Sequence, residues 1–594
     1  MTPAPRSTSI HPGEPLLPNP LRYPKRPFRS MSRGVKRMQP RRAAPDGRRG
    51  RGDALPEALV VQITGTDPDG DALARPAAWD KTAGPPPLIH MAPEPRGRPA
   101  LVPGERVLAR LKRIGAGRYE GRTMHRLAEV PGRILGVFRP GHPTARIVPT
   151  DRRAKAEWVV PPGEENSAEG GEIVLAEPLP HHRLGLKPAR VIERLGNMGD
   201  ARSVSLIAIH THDIPEDFPE TALAEAARAR ATRLGRRTDL RGIPLVTIDG
   251  EDARDFDDAV FAAADGDGFR LIVAIADVAH YVRPGSALDL AARNRGNSVY
   301  FPDRVVPMLP EALSNGWCSL KPMEDRGCLF VEMRIDARGR KLSHSLGRGL
   351  MRSAARLTYE QVQQAHERSD ELELPLPALY GAFRALLAAR EARGTLDLDL
   401  PERKVVLDED GRVASVSPRP RLDSHRLIEE FMILANVAAA EELERHHHPC
   451  MYRIHAPPSD EKIEALRSLL ATFGIRLAAG KEPHPRDLDR IRRKVAGTPE
   501  APLVNEMLLR SQSQAAYSPD NIGHFGLALA RYAHFTSPIR RYADLLVHRS
   551  LIRCLKLGKD GVTGEETKHL PDTAEHITAT ERRAQLAERE AIDR

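Results

Sequence analysis

The residues best suited to chemistry form one acidic stretch, Asp249–Asp258, which reads DGEDARDFDD. Six of its ten residues are acidic and only Arg254 is basic. Like charges this close repel one another and raise each other's pKa unless a cation neutralises them. Carboxylates without His or Cys suit hard cations such as Mg²⁺ or Mn²⁺, which prefer oxygen ligands. The stretch therefore predicts a divalent-metal site, with a solvated acidic turn as the alternative.

Apolar residues on both sides of this stretch predict strands. Leu245–Ile248 is β-prone and Ala259–Phe261 is apolar, so we expect the carboxylates on a loop whose ends are held at a hydrophobic core. An EF-hand is excluded, because its sixth and twelfth positions require Gly and Glu. Counted from Asp249, those positions hold Arg254 and Val260.

A second candidate site lies near the C-terminus, in Ala533–Tyr542 (AHFTSPIRRY). The pattern predicts a helix start, with Thr536 or Ser537 as the cap and Pro538 in the first turn. Arg540 and Arg541 would then oppose the helix dipole, which favours an anion there. A phosphate would satisfy both the free backbone N–H groups and the guanidinium groups. The alternative is that both arginines pair with nearby acids such as Asp544.

The composition narrows the class of protein. A net charge of +10 and a pI near 9.5 in a chain of 594 residues point to a polyanionic partner, nucleic acid before membrane. No apolar run approaches the roughly 18 residues of a spanning helix, so we expect a soluble protein. The four cysteines include no CxxC pair, which is typical of a reducing cytosol. There is no Walker A loop.

Changes in composition predict a multidomain chain with two small OB-fold or cold-shock-type β-barrels followed by a mixed α/β domain. Residues 1–54 are rich in Pro and Arg and predict a disordered arm that holds phosphates without sequence preference, with a transit peptide as the alternative. Generic small β domains are the alternative to the barrels. The remaining segments are barrel 1 at 55–125, barrel 2 at 126–200, a linker helix region at 201–240 and the α/β domain at 241–594.

Three elements are predicted within the C-terminal part. Thr221 to Leu234 is expected to form a short helix with Thr221 as a possible cap. Continuous apolarity predicts a buried strand over Leu271–Ala276. His425–Leu443 is expected to be a helix with an apolar face and with Glu429 and Glu430 beside it.

Two motifs resemble the signature motifs of the RNB exoribonucleases, and within that family those of the ribonuclease R branch. They are Thr247–Asp258 (TIDGEDARDFDD) and His534–Tyr542 (HFTSPIRRY). The resemblance covers about residues 55–594, and motifs this long are very improbable by chance. Further matches, in the same order along the chain, are Ile275–Val278, Arg293–Pro302, Pro307–Pro310, Ile428–Asn436 and His524–Leu529.

The resemblance implies two cold-shock barrels, an RNB catalytic domain and a C-terminal S1 barrel. It also implies processive 3′→5′ hydrolysis of RNA to nucleoside 5′-monophosphates, in RNA turnover and quality control. The enzyme would be a cytoplasmic monomer, and RNA would enter it by a single-stranded 3′ end. Mg²⁺, or Mn²⁺, would serve a two-metal mechanism. The chain stops at Arg594, inside the closing RNB helix, so we expect the S1 barrel to be absent. A non-catalytic RNA-binding protein is the alternative function.

The resemblance also implies roles for individual residues. Asp257 and Asp255 would be catalytic together with Arg540, which would hold the scissile phosphate. Tyr300 would stack on the 3′-terminal base, Arg541 would bind RNA, and one of Glu429 and Glu430 would orient the terminal ribose. The metal ligands would be Asp249, Asp255, Asp257 and Asp258.

Overall fold

The computed structural model of the protein describes most of residues 55–594, and the arm predicted for residues 1–54 lies outside the described residues. The chain divides into two compact units, Met1–Glu129 and Val130–Arg594. Within residues 55–594 the structure also leaves out 57, 67–71, 78, 80–85, 93–100, 102–105, 116–117, 128–132, 142–143, 151–156, 180–185, 198–200, 369–375, 398–402, 409–412, 419–420 and 479–482.

The first unit contains a closed β-barrel of five strands. The strands are β1 (Ala58–Thr66), β2 (Ala72–Pro76), β3 (Leu88–Met91), β4 (Arg106–Gly115) and β5 (Arg118–Leu127). Alternate residues such as Val61, Ile63 and Val107 fill the interior, as the two-residue period of a strand requires. Arg110 and Lys112 of β4 point outwards and are exposed. The first predicted barrel is confirmed.

The second unit begins with another five-stranded sheet, in the order β10-β9-β6-β7-β8. Its strands are β6 (Ile134–Arg139), β7 (Ala145–Pro149), β8 (Trp158–Val160), β9 (Glu172–Pro178) and β10 (Ala189–Asn197). A bridge between Val159 and Pro188 brings its two edges together. Phe138 and Trp158 are buried in its core, so neither ring is free to stack on a base.

The rest of the second unit is built on a seven-stranded mixed sheet, in the order β11-β18-β17-β14-β13-β12-β19. Most neighbours are antiparallel, whereas β11–β18 and β12–β19 are parallel. The predicted strand Leu271–Ala276 is the buried part of β14. Its seven strands are β11 (Thr238–Asp239), β12 (Val246–Asp249), β13 (Asp258–Asp265), β14 (Gly268–Ala276), β17 (Asp325–Ile335), β18 (Lys341–Arg352) and β19 (Ala355–Thr358). Three further pairs of strands form two-stranded sheets: β15 (Val299–Tyr300) with β16 (Val305–Val306), β20 (Arg403–Leu407) with β21 (Val413–Pro418), and β22 (Tyr452–Ile454) with β23 (Ala516–Ser518).

Helices pack around this sheet and share one large hydrophobic core with it. A short 3-10 helix spans Val278–His280 and a π-helix spans Ala312–Trp317. No helix in the described part of the chain has the length and apolarity needed to cross a bilayer. The α-helices are α1 (Ala201–Thr211), α2 (Glu220–Ala227), α3 (Ala287–Arg295), α4 (Tyr359–Arg368), α5 (Leu376–Arg393), α6 (Asp423–Arg445), α7 (Asp460–Thr472), α8 (Pro485–Val495), α9 (Ala501–Ser511), α10 (Tyr542–Cys554), α11 (Gly564–Lys568) and α12 (Leu570–Asp593).

Two expectations for residues 201–240 need correction. The helix predicted from Thr221 to Leu234 ends at Ala227 and has Pro219, without a side-chain cap, at its N-terminus. Just past its end, the Arg230 side chain donates to the carbonyl oxygens of Ala227 and Ala229, as capping groups at a C-terminus do. The segment is also more than a linker, since β11 already belongs to the seven-stranded sheet.

Candidate active site

The acidic stretch forms the connection between β12 and β13, as predicted. Asp249 is the last residue of β12 and Asp258 is the first of β13. Both strands lie inside the seven-stranded sheet, where β12 pairs with β13 and β19. The ends of the loop are therefore fixed by the hydrogen bonds of the sheet.

Two side chains that the sequence did not single out anchor the loop from outside. The Ser319 hydroxyl accepts the Phe256 N–H at 3.0 Å and donates to the Arg254 carbonyl at 2.8 Å. Arg356 donates to the carbonyl oxygens of Gly250 and Glu251 at 2.8 and 2.5 Å. Because these contacts join residues far apart in the chain, no local pattern could have predicted them.

Four aspartates of the loop have raised pKa values, chiefly because burial disfavours their charged forms. Burial raises the pKa of Asp257 well above its usual value, although Arg540 and the Ile539 N–H lower it. Burial and then the charge of Asp249 raise the pKa of Asp258 to about 7. The pKa values of Asp249 and Asp255 are raised by burial too, against the opposing charge of Arg540.

The other two acids of the loop, Glu251 and Asp252, are exposed. The interpretation of the stretch as a solvated turn therefore fits these two residues alone. The other four carboxylates are partly or fully removed from solvent, so their negative charge costs free energy unless a cation neutralises it.

The second motif folds differently from the prediction. Pro538–Arg540 form a turn, and α10 begins only at Tyr542. The buried Asp544 carboxylate accepts the Ser537 N–H at 2.7 Å, and Tyr542 donates its N–H to the Gly296 carbonyl. These bonds hold the segment in a turn that ends before α10 begins, so Thr536 and Ser537 do not cap a helix.

This turn meets the acidic loop. The Ile539 N–H donates to Oδ1 of Asp257 at 2.9 Å, and Nε of Arg540 lies 3.8 Å from Oδ2 of the same carboxylate. The Ser537 hydroxyl accepts a hydrogen bond from Nη2 of Arg540 at 3.0 Å. The Arg540 side chain is still 42% exposed, so part of its guanidinium group is open to an incoming anion.

Arg541 is oriented differently from its neighbour. Its guanidinium group makes two hydrogen bonds to Asp544, at 2.7 and 2.8 Å, and Asp544 is fully buried. This is the ion pair that the alternative interpretation of the motif expected. The two consecutive arginines thus differ, since Arg541 ties the turn to α10 whereas Arg540 faces the aspartates.

Tyr300 lies beside the same centre, at the end of β15. Its N–H donates to the Glu588 carboxylate of α12 at 2.8 Å, and its side chain is 40% exposed. Burial and the charges of Asp255 and Asp257 raise its pKa, whereas Arg540 lowers it. Tyr300, Arg540 and Glu588 line a cavity of about 220 Å³. The sequence did not single out Glu588.

Glu429 and Glu430 of α6 belong to a network of ion pairs. Arg390 binds Glu430 and Glu429 at 2.5 and 2.9 Å, and Arg421 binds Glu429 at 2.8 Å. Asp397 accepts from both arginines. The Glu429 side chain is 37% exposed and that of Glu430 only 5%, so Glu429 is the more accessible to a ligand.

The aspartates fit a hard divalent cation by their chemistry. Asp257 Oδ2 and Asp258 Oδ2 are buried and have no hydrogen-bond partner among the described residues, and such oxygens carry free lone pairs for coordination. In the part of the chain that the structure describes, no three His, Cys, Asp or Glu side chains already stand close enough to hold an ion.

Comparison with known proteins identifies the family of the chain. Residues 237–557 match the RNB domain model and residues 147–219 match the cold shock domain model. Because the RNB match spans more than half of the 594 residues, the chain belongs to the RNB family.

Among individual relatives, Ribonuclease R of Vibrio parahaemolyticus is 43% identical over 502 residues. The match covers 80% of this chain and 60% of that protein, so the chain spans about three fifths of this relative. The structure of Mycoplasma genitalium RNase R in complex with ribose methylated single-stranded RNA is similar with a TM-score of 0.77 and 26% identity, over 90% of this chain and 86% of that one.

Yeast Ssd1, described as a pseudonuclease, is similar with a TM-score of 0.64 and 18% identity, over 90% of this chain and 73% of that one. That likeness concerns the fold alone. A fold of this kind is therefore compatible with the absence of nuclease activity, and any argument for catalysis has to come from the residues of the site.

Proposed function

We propose that the protein is an exoribonuclease that hydrolyses RNA processively from the 3′ end and releases nucleoside 5′-monophosphates. The observation that carries this proposal is the meeting of four aspartates, of which Asp257 is buried and the others are half-buried, with the partly exposed guanidinium group of Arg540. A cluster of carboxylates needs cations, and a free arginine beside them suits a phosphate. The 43% sequence identity to Ribonuclease R of Vibrio parahaemolyticus, over 80% of this chain, supports the choice of RNA as the substrate.

We further propose that Asp249, Asp255, Asp257 and Asp258 hold Mg²⁺, or Mn²⁺ in its place. When bound, two such ions supply an activated water and stabilisation of the leaving 3′ oxygen. The free oxygens of Asp257 and Asp258 and the all-oxygen donor set support this proposal.

The other residues of the site orient the RNA and offset its charge. Arg540 contacts the scissile phosphate and stabilises the negative charge that develops on it, and Ser537 fixes the direction of its guanidinium group. Tyr300 offers its half-exposed ring to the terminal base. The greater exposure of Glu429 favours it over Glu430 as the acceptor for the terminal ribose hydroxyls.

We propose a cytoplasmic monomer that acts in RNA turnover and quality control. The four cysteines are free, and three of them are buried, which suits a reducing compartment. The exposed basic residues of the first barrel suit contact with the phosphate backbone of the RNA.

The direct test is incubation of end-labelled poly(A) with the protein, first in Mg²⁺ and then in EDTA. We expect mononucleotides with Mg²⁺ and none after chelation. Label at the 5′ end should stay in full-length strands and then appear in the final short products with few intermediates, because each strand is digested processively from its 3′ end. A strand blocked by a 3′-phosphate provides a control for end recognition.

The second candidate is a non-catalytic RNA-binding protein with the same fold, and the exposed basic residues of the first barrel support RNA binding of this kind. It predicts a gel shift of poly(A) that is the same in Mg²⁺ and EDTA, with no mononucleotide in either. That result would reject the nuclease proposal while leaving RNA binding intact.

A further inference from the structure

A second cavity, of about 680 Å³, lies away from the aspartates. Its walls are α5, α6 and the turns at the ends of β13 and β17, where Asp267 and Asp336 line it. The carboxylate site is at the opposite end of β13, which begins at Asp258 and has 8 residues. At about 3.3 Å per residue the two sites are roughly 20 Å apart or more. The cavity is therefore separate from the aspartates, and it shares with the proposed RNA site only Glu430, one of the two acids considered for the terminal ribose.

The floor of the cavity is apolar. Leu386 from α5 and Ile433, Leu434 and Val437 from α6 line it. A volume of this size, with an apolar floor and a few polar groups, is typical of sites for small organic ligands. One wall is fixed, because Gly339 has a φ of +73° and a Cβ there would overlap the Ala385 carbonyl of α5.

Most of the charged groups around the cavity are already neutralised. Lys341 pairs with Glu441, and Arg340 pairs with Asp336 at 3.1 Å. Glu430, the acid on the floor, is bound by Arg390. These pairs leave little charge of their own for a ligand to meet.

Three charged residues that line the cavity, Asp267, Arg338 and Arg393, have no ion pair among the described residues, and the least exposed of them is Arg393. Its Nε donates to the Leu527 carbonyl at 3.0 Å, but its Nη2 is buried and has no hydrogen-bond partner among the described residues. Burial lowers its pKa, and the acid that acts on it, Glu430, is occupied by Arg390. A buried cation with a free N–H is costly unless an anion completes it. Arg338, at the rim of the same cavity, is exposed and can add a second positive charge.

We propose that this cavity binds a small phosphate ester with an apolar body, of the size and class of a nucleoside monophosphate. The phosphate is held by Arg393 and Arg338, and the apolar body lies on Leu386 and Val437. This inference concerns binding at a cavity separate from the aspartates, so it stands whether or not the proposed nuclease activity is found.

The test is calorimetric titration of AMP, adenosine and inorganic phosphate into the full chain in EDTA. An Arg540→Ala background removes the phosphate contact of the proposed active site, and the part of the remaining AMP binding that Val437→Phe abolishes reports the second cavity. Arg393→Met removes the free guanidinium group, and Val437→Phe fills the floor without touching any charge. Arg384→Met is the matched control, because Arg384 is an exposed residue of α5 outside the cavity.

We expect AMP to bind the Arg540→Ala protein with a Kd below about 1 mM. Arg393→Met and Val437→Phe should each weaken binding by about tenfold or more, since a charge-assisted hydrogen bond or the apolar contact is lost. Arg384→Met should leave the Kd unchanged. Adenosine and inorganic phosphate should each bind more weakly than AMP, because each supplies only half of the contacts.

Three outcomes would overturn the inference: no AMP binding in the Arg540→Ala background, unchanged affinity in the Val437→Phe protein, or inorganic phosphate binding as tightly as AMP. If Arg393→Met lowers the melting temperature too far for titration, Val437→Phe carries the test. Failure of the poly(A) assay together with AMP binding at this cavity would reject the nuclease proposal alone.

Discussion

Asp257 and Ile539 are joined by a hydrogen bond of 2.9 Å although 282 positions separate them in the chain. The bond runs from the Ile539 N–H to the carboxylate, and it places the next residue, Arg540, 3.8 Å from the same group. The Asp257 carboxylate therefore accepts a backbone hydrogen bond at Oδ1. Its Oδ2 faces the Arg540 guanidinium group and has no hydrogen-bond partner among the described residues. The position of Arg540 over the acidic loop depends on this contact.

Replacing Asp257 with Asn should separate chemistry from binding. The amide oxygen can still accept the Ile539 N–H, so the fold should be kept, but the negative charge needed to hold a cation is lost. We expect turnover of poly(A) to fall on the order of 100-fold or more while RNA still binds in a gel shift. Asp252→Asn is the matched control, because Asp252 is an exposed acid of the same loop. Normal turnover by the Asp257→Asn protein would remove this assignment.

Arg540→Ala should slow the reaction without unfolding the protein. The side chain is 42% exposed, so little packing is lost, but the charge on the phosphate is no longer offset. Single charge-stabilising donors in other enzymes contribute about 2–4 kcal/mol to the transition state. Steady-state kinetics should show kcat/KM lowered by the corresponding factor and an unchanged melting temperature. A drop in melting temperature with near-normal kcat/KM would show that the residue is structural.

The opposite pattern is expected for Arg541→Ala. Its removal leaves the fully buried Asp544 carboxylate without its cation, and breaking a buried pair from one side costs about 3–5 kcal/mol. Urea unfolding should report a lower midpoint. A double variant, Arg541→Ala with Asp544→Ala, should recover part of the loss because no buried charge is left unpaired. Equal stability of Arg541→Ala and the parent protein would contradict the pairing.

The raised pKa of Asp258 makes the stability of the metal-free protein depend on pH. An unfolded aspartate ionises near about 4, whereas burial raises the folded pKa to about 7. The folded state then binds the proton of Asp258 more tightly, so the contribution of this residue to stability is fully present below about pH 4 and is lost as pH rises through about 7. In EDTA the melting temperature should fall across this window, and Asp258→Asn should flatten the profile. A wild-type profile that is already flat would refute the shift.

Much of the architecture could be predicted from local patterns. The helix expected over His425–Leu443 is α6, Asp423–Arg445, because its apolar period and length favour a helix without help from neighbours. The acidic loop was predicted for a similar reason, since two apolar runs bracket a dense run of charge. Both patterns lie within one short stretch of sequence.

The features of the site that could not be predicted from the sequence depend on contacts between distant segments. Ser319 and the Phe256 N–H that it accepts are 63 positions apart, and nothing near Ser319 marks it as an anchor. The helix start expected at Thr536 or Ser537 is displaced to Tyr542, because buried Asp544 takes the Ser537 N–H. The Asp544 carboxylate also binds Arg541 and not Arg540, so two adjacent residues of the same type have different roles.

The long separation between Asp257 and Ile539 also has a consequence for synthesis of the protein. Contacts between such distant positions form late, because loop closure must precede them. A growing polypeptide on the ribosome carries all four aspartates long before the turn with Arg540 emerges. The acidic loop and the turn that carries Arg540 can therefore be joined only after residues 249–540 have all been synthesised, so the two halves of the site come together late in folding.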